Sequence, residues 1–147
     1  MNIKIFLRKE NEHSDVPLAV KFGSIVVDKM ITKQHQVISL ESLEHTCDTQ
    51  LSLARNEQAL YETNRNHHSN KIFVDKVIID DFWELDEEFY PPVTEFDEDY
   101  TQHIEKVGKD EWITNSLVNN THLFFNGRLT WDIKYPVRRS FFKDYNR

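Results

Sequence analysis

Asn126-Gly127 stands between two apolar runs, Thr121-His122-Leu123-Phe124-Phe125 and Arg128-Leu129-Thr130-Trp131-Asp132-Ile133, and no other feature narrows the choice of fold as much. Asn-Gly readily takes the two positive-φ positions of a type I′ turn, so the pattern predicts a β-hairpin with a two-residue loop. Phe125 then faces Arg128, Phe124 faces Leu129 and His122 faces Trp131. In that register Phe124, Leu129, Trp131 and Ile133 share the core face, with Leu123 and Phe125 on the opposite one.

Other segments repeat the period of two. Ile3, Ile5 and Leu7 share a face, and a β-rich stretch over residues 17–28 is broken at Gly23-Ser24, giving two short strands or one bulged strand. Residues 36–44 and 49–56 read as half-buried strands, while the polar cluster that closes residues 57–70 reads as a surface loop between two halves. In residues 72–85 the apolar parity shifts between Ile72/Val74 and Val77/Ile79, which calls for a bulge or a turn at Asp75-Lys76, a strand pair being the simplest form. Residues 86–120 carry no sustained period and read as one long irregular excursion, with a short helix over 101–107. The expectation is a single all-β domain over residues 1–147: an antiparallel β-sandwich or jelly roll of about seven or eight strands.

Several classes of function fit this chain poorly. Its 18 Lys and Arg stand against 25 Asp and Glu, a formal charge of −7 that opposes binding to nucleic acid. The lone Cys47 forms no internal bridge and has no zinc-ligand spacing around it, as suits a chain made in a reducing cytoplasm. The alternating start Asn2-Ile3-Lys4-Ile5 is no signal peptide, and no window approaches the ~18 apolar residues of a membrane span. Of the His residues only His67-His68 are adjacent, and neighbours on a strand point to opposite faces, so no metal or other cofactor is expected.

Chemistry, if any, has to come from carboxylates and aromatics. Glu95, Asp97 and Asp99 are the first candidates for calcium, although neither the ligand spacing nor the glycine of an EF-hand loop is present. Acid pairs of this kind also serve glycoside hydrolysis, but a run this dense in carboxylates produces pairs by coincidence, and the chain is not expected to be an enzyme. Hairpin parity puts Trp131 in the core, which leaves Trp83 and Trp112 as candidates for a sugar platform or an interface anchor, joined by Tyr90. The tail interleaves Arg138 and Arg139 with Phe141 and Phe142, so Arg138, Arg139 and Phe142 are candidates for contact with an acidic partner surface.

The second half resembles a group of small β-sandwich proteins of marine T4-like tailed phages. The likeness lies in the order of Asp75-Lys76-Val77-Ile78-Ile79, Asp80-Asp81, Phe89-Tyr90-Pro91-Pro92, a polar stretch holding Trp112, Phe125-Asn126-Gly127, Tyr135-Pro136 and Phe141-Phe142. It covers roughly residues 71–145; the ending lacks a Trp that the group often has. The resemblance implies a fold like that of carbohydrate-binding modules and a non-enzymatic virion structural protein that packs on other virion proteins, as a homo-oligomer or a docked subunit. The alternative is a carbohydrate-binding module that recognises glycans through exposed aromatics, with calcium as a possible aid.

Overall fold

The computed structural model describes residues 2–10, 12, 14–41, 49–57, 71–85, 89–100, 102, 116–118, 121–123 and 125–134. Among them run β1 (Asn2–Lys9), β2 (Val16–Phe22), β3 (Ile25–Ile31), β4 (His35–Glu41), β5 (Thr49–Arg55), β6 (Ile72–Ile79), β7 (Trp83–Glu84), β8 (Val93–Phe96), β9 (Ser116–Val118), β10 (His122–Leu123) and β11 (Gly127–Ile133). They form two antiparallel sheets, one ordered β10-β6-β1-β4 with β7 also on β6, the other β3-β2-β5-β11-β8-β9. This is the expected β-sandwich, with more and shorter strands than the sequence suggested.

Alternation builds the core. Ile3, Ile5 and Leu7 of β1, Val16, Leu18, Val20 and Phe22 of β2, Leu51 and Leu53 of β5, and Leu129, Trp131 and Ile133 of β11 are all buried between the sheets. Each side chain of this kind contributes roughly 1.5–3 kcal/mol of transfer free energy. The parity shift in β6 is absorbed by a bulge: Phe6 pairs with Lys76 and Leu7 with Val74, so Asp75 is the extra residue and both apolar pairs still face inward. The turn that the sequence offered at Asp75-Lys76 lies instead at Asp80-Asp81, with φ of 53° and 60° as a type I′ turn requires. Gly23, with φ of 60°, turns β2 into β3 as a two-residue hairpin.

The expected hairpin across Asn126-Gly127 does not form. β10 pairs with β6, whereas β11 pairs with β5 and β8, so the chain passes from one sheet to the other between the end of β10 and the start of β11. A crossing frees the two runs from a common parity. Leu123 and Phe125, expected on the outer face, are both buried in the core, and Phe124 lies outside the described residues. Phe125 packs against Phe96 at 4.5 Å and Tyr100 at 5.2 Å between ring centroids. The excursion is also less irregular than its sequence: β8 and β9 extend the second sheet, and residues 98–100 and 102 are helical, a few positions before the expected helix, most of which lies outside the described residues.

Polar groups pinned inside explain why the crossing holds. Asn126 accepts a hydrogen bond from the Glu57 amide at 2.9 Å and donates to the Glu57 carbonyl at 2.9 Å and the Asp99 carboxylate at 2.6 Å. Gly127 follows because a Cβ there would collide with the Glu95 carbonyl oxygen. Arg55, buried beside this point, donates to Glu57 at 2.6 Å and to the Leu123 carbonyl at 2.8 Å, tying the end of β5 to the end of β10.

Candidate functional site

With the inward positions committed to packing, ligand chemistry belongs to the outer faces, the turns and the loop ends. The outer face of the first sheet carries Phe6, Phe73, Val37 and Ile78 at alternating strand positions. Its rings are occupied: Arg8 sits 4.4 Å from the Phe73 centroid and Lys76 sits 4.6 Å from that of Phe6, while His122 meets Phe73 edge-on at 5.2 Å. A sugar would have to displace a cation to stack there.

The second sheet has the opposite relief. Ala19 of β2 pairs with Ala54 of β5, and Lys21 pairs with Ser52, which in turn faces Thr130 of β11. Small side chains in the middle of the face leave it low. At one end a groove of about 530 Å³ opens, lined by Lys21, Gly23, Ser24, Thr49, Gln50, Ser52, Asp132 and Lys134. Gln50 donates its amide to Asp132 at 2.7 Å, so a carboxylate and an amide are held together in the lining of the groove. Hydroxyls, an amide, a carboxylate and two ammonium groups on one open surface suit a ligand rich in hydroxyl groups.

Sequence candidates fall elsewhere. Tyr90, expected to anchor an interface, is 3% exposed and donates its hydroxyl to the Lys134 carbonyl at 3.1 Å; its ring packs in the core and offers no free face. Trp83 is half-buried against the core in the short strand β7, and it is its neighbour Phe82 that projects, 61% exposed, with the two rings 5.2 Å apart. The turn beneath them is held by the Asn2 amide on the Asp80 carboxylate at 2.8 Å and by Lys4 on Asp81 at 2.6 Å. Trp112, Arg138, Arg139 and Phe142 lie outside the described residues.

The calcium candidates Glu95, Asp97 and Asp99 are not brought together. Glu95 is paired with Arg128 at 2.6 Å and Asp99 accepts from Asn126, so two of the three carboxylates have other work. Among the described residues no group of three His, Cys, Asp or Glu side chains is placed to hold a metal ion. Asp97 keeps a raised pKa, through burial first and the neighbouring Asp99 charge second, with Arg128 opposing both. Burial likewise raises Tyr100.

The groove went unseen in the sequence because its residues are ordinary outward positions of strands far apart in the chain. Lys21, Gln50 and Asp132 become neighbours only through the strand order β2-β5-β11, which no local pattern specifies.

Comparison with known proteins is informative at the level of fold. No protein-family profile matches the sequence, and no curated protein matches it either. Two solved structures of the carbohydrate-binding module vCBM60 are similar. The one in complex with galactobiose has a TM-score of 0.53 at 14% identity, covering 90% of this chain and 98% of that one. The other, a selenomethionine form described among calcium-dependent carbohydrate-binding modules, has a TM-score of 0.54 at 12% identity, covering 93% and 97%. The fold is therefore a β-sandwich of the carbohydrate-binding-module kind, as the resemblance implied.

Proposed function

We propose that this chain is a non-catalytic carbohydrate-binding module and that its glycan lies in the groove on the β2-β5-β11 face. The observation that carries this reading is the convergence of Ser24, Thr49, Gln50, Ser52 and Asp132 on one open groove, in a fold shared with modules that bind sugars. Bidentate amide and carboxylate groups match the paired hydroxyls of a pyranose, and a shallow groove on a sheet face admits a chain rather than a single ring. Calcium takes no part in this reading, since the described carboxylates do not fit a site for it.

Affinity electrophoresis through gels cast with a panel of polysaccharides tests the proposal. At least one polysaccharide should retard the protein, and Asp132→Ala, which removes the carboxylate and releases Gln50, should weaken that retardation about tenfold or more. Free migration through every gel would sink it.

The order of motifs over residues 71–145 supports a setting for such a module, as part of a tailed-phage virion, where a sugar-binding surface would meet the host. Docking on other virion proteins through Trp112, Arg138, Arg139 and Phe142 belongs to the same proposal. Peptide detection in purified particles is its direct check.

A further inference from the structure

We infer that the free edge of β4 is a homodimer interface, on which a second copy of this chain adds its own β4 antiparallel and joins the two first sheets into one.

The edge is open and its backbone is unused. β3 and β4 are the terminal strands of the two sheets, joined through residues 32–34, and among the described residues β1 is the only strand paired with β4. The Lys9 amide donates to the Gln34 carbonyl at 2.8 Å, which fixes the phase of the ladder. Gln36, Ile38 and Leu40 therefore turn their backbone groups to β1, and His35, Val37, Ser39 and Glu41 turn theirs to the open edge. The neighbouring edge is protected. In β3 Lys29 shares the parity of Val27 and Ile31, which face the core, and a charge at an inward position of an edge strand opposes pairing with a further strand. β4 has no such device: its core-parity residues are Gln36, Ile38 and Leu40, and its seven residues run without proline, glycine or bulge.

Self-complementarity names the occupant. Antiparallel copies of one strand are related by a two-fold axis normal to the sheet, so each residue meets a residue that meets it in return. Centred on Ile38, this register pairs all seven residues of β4. It sets His35 opposite the partner's Glu41, Gln36 opposite the partner's Leu40 and Val37 opposite the partner's Ser39. An imidazole then meets a carboxylate at both ends, donor to acceptor, and the four outward-turned residues make up to about eight backbone hydrogen bonds across the interface. Val37, 47% exposed in the single chain, lies diagonal to its own copy and is partly covered. Shifting the centre to Val37 sets His35 against Ser39, and shifting it to Ser39 sets Glu41 against Val37, so either shift loses the end pairs. A foreign strand finds the same backbone groups without this match. Because the axis is normal to the sheet, the β2-β5-β11 grooves of the two copies open toward the same side, and on the glycan-binding reading one polysaccharide would be held at two points.

Sedimentation equilibrium of the full chain at moderate salt, from about 5 to about 500 µM, is the test, since a single strand pair stands at the small end of specific interfaces and calls for a micromolar dissociation constant. The mean mass should rise from monomer toward dimer over that range. Ser39→Pro removes an amide hydrogen turned away from β1, and should hold the protein monomeric at a nearly unchanged melting temperature. His35→Glu, at an exposed position, sets two carboxylates face to face at each end and should weaken the dimer about tenfold, and adding Glu41→Lys should restore it to within about threefold. This exchange keeps the test decisive even where Ser39→Pro lowers the melting temperature. A monomer at every concentration would overturn the inference, as would a dimer that a folded Ser39→Pro variant retains or that the charge exchange fails to weaken and rescue. No sugar enters these measurements, so their outcome leaves the glycan-binding reading to its own test.

Discussion

Replacing Asn126 by alanine separates the crossing seen in the structure from the hairpin suggested by the sequence. In a hairpin turn the side chain of Asn126 would do little, and its loss would cost about 1 kcal/mol or less. In the structure it makes two neutral hydrogen bonds to the Glu57 backbone at 2.9 Å each and one to the Asp99 carboxylate at 2.6 Å. At about 1 kcal/mol for each neutral bond and about 2 for the charge-assisted one, the sum is about 4 kcal/mol, reduced to about 3 because water can reach the partly buried partners after truncation. Urea unfolding followed by tryptophan fluorescence is the assay. With a slope near 2 kcal/mol/M, the midpoint should fall by about 1.5 M at unchanged slope. Asn126→Asp gives a second reading: it keeps the acceptor for the Glu57 amide but turns a carboxylate toward Asp99, so it should be at least as destabilising at neutral pH and recover in acid. A midpoint shift below about 0.5 M for Asn126→Ala would refute the capping role and reopen the hairpin.

Two other polar positions yield predictions. Lys9 is fully buried at the end of β1 and donates to the carbonyls of Ser14, Thr32 and Ile31 at 2.9, 3.2 and 3.5 Å; Lys9→Met keeps the volume but leaves those oxygens without their donor, and should cost about 3 kcal/mol in the same unfolding experiment. Asp97 has a folded pKa above its ordinary value, so its contribution to stability is present below the ordinary value and is lost as pH rises through the raised one. Asp97→Asn should therefore raise the melting temperature at neutral pH and lose that advantage in acid; a lower melting temperature at neutral pH would contradict the assigned cause.

Legibility in the sequence followed the range of the interaction. Ile3, Ile5 and Leu7, or Leu129, Trp131 and Ile133, report their burial through spacing alone, because a strand between sheets imposes period two whatever its partners. The bulge at Asp75 was visible as a break in parity, and its geometry could be known only once β1 was seen pairing on both sides of it. Asn126-Gly127 misled for a definite reason. The dipeptide suits a tight turn by backbone preference, but here Asn126 serves through its side chain and Gly127 through its lack of one against the Glu95 carbonyl. Those partners lie in segments distant in the chain, and local propensity carries no information about them. The sequence also ranked aromatics as the functional residues, whereas Tyr90 is in the core and the groove is built from Lys, Gln, Ser, Thr and Asp.

The contrast between the two outer faces has a physical origin in what each strand places opposite its neighbour. In the first sheet β1 and β6 put Phe6 beside Lys76 and Arg8 beside Phe73, so aromatic area that would otherwise face water is covered by alkyl stems and a cation. The face is thereby closed from within the chain. In the second sheet Ala19 meets Ala54 and Ser52 meets Thr130, side chains too short to reach across and cover one another. Backbone there is shielded by the neighbouring strands alone, and the longer residues at the margin, Lys21, Gln50, Asp132 and Lys134, rise around the low middle and form the walls of the groove. The walls are polar because Lys21, Gln50 and Asp132 occupy outward positions near the ends of their strands and Lys134 follows the end of β11, and the β2-β5-β11 order gathers these ends at one place. On the proposed reading, a ligand rich in hydroxyl groups would meet hydrogen-bonding atoms already spaced by the sheet.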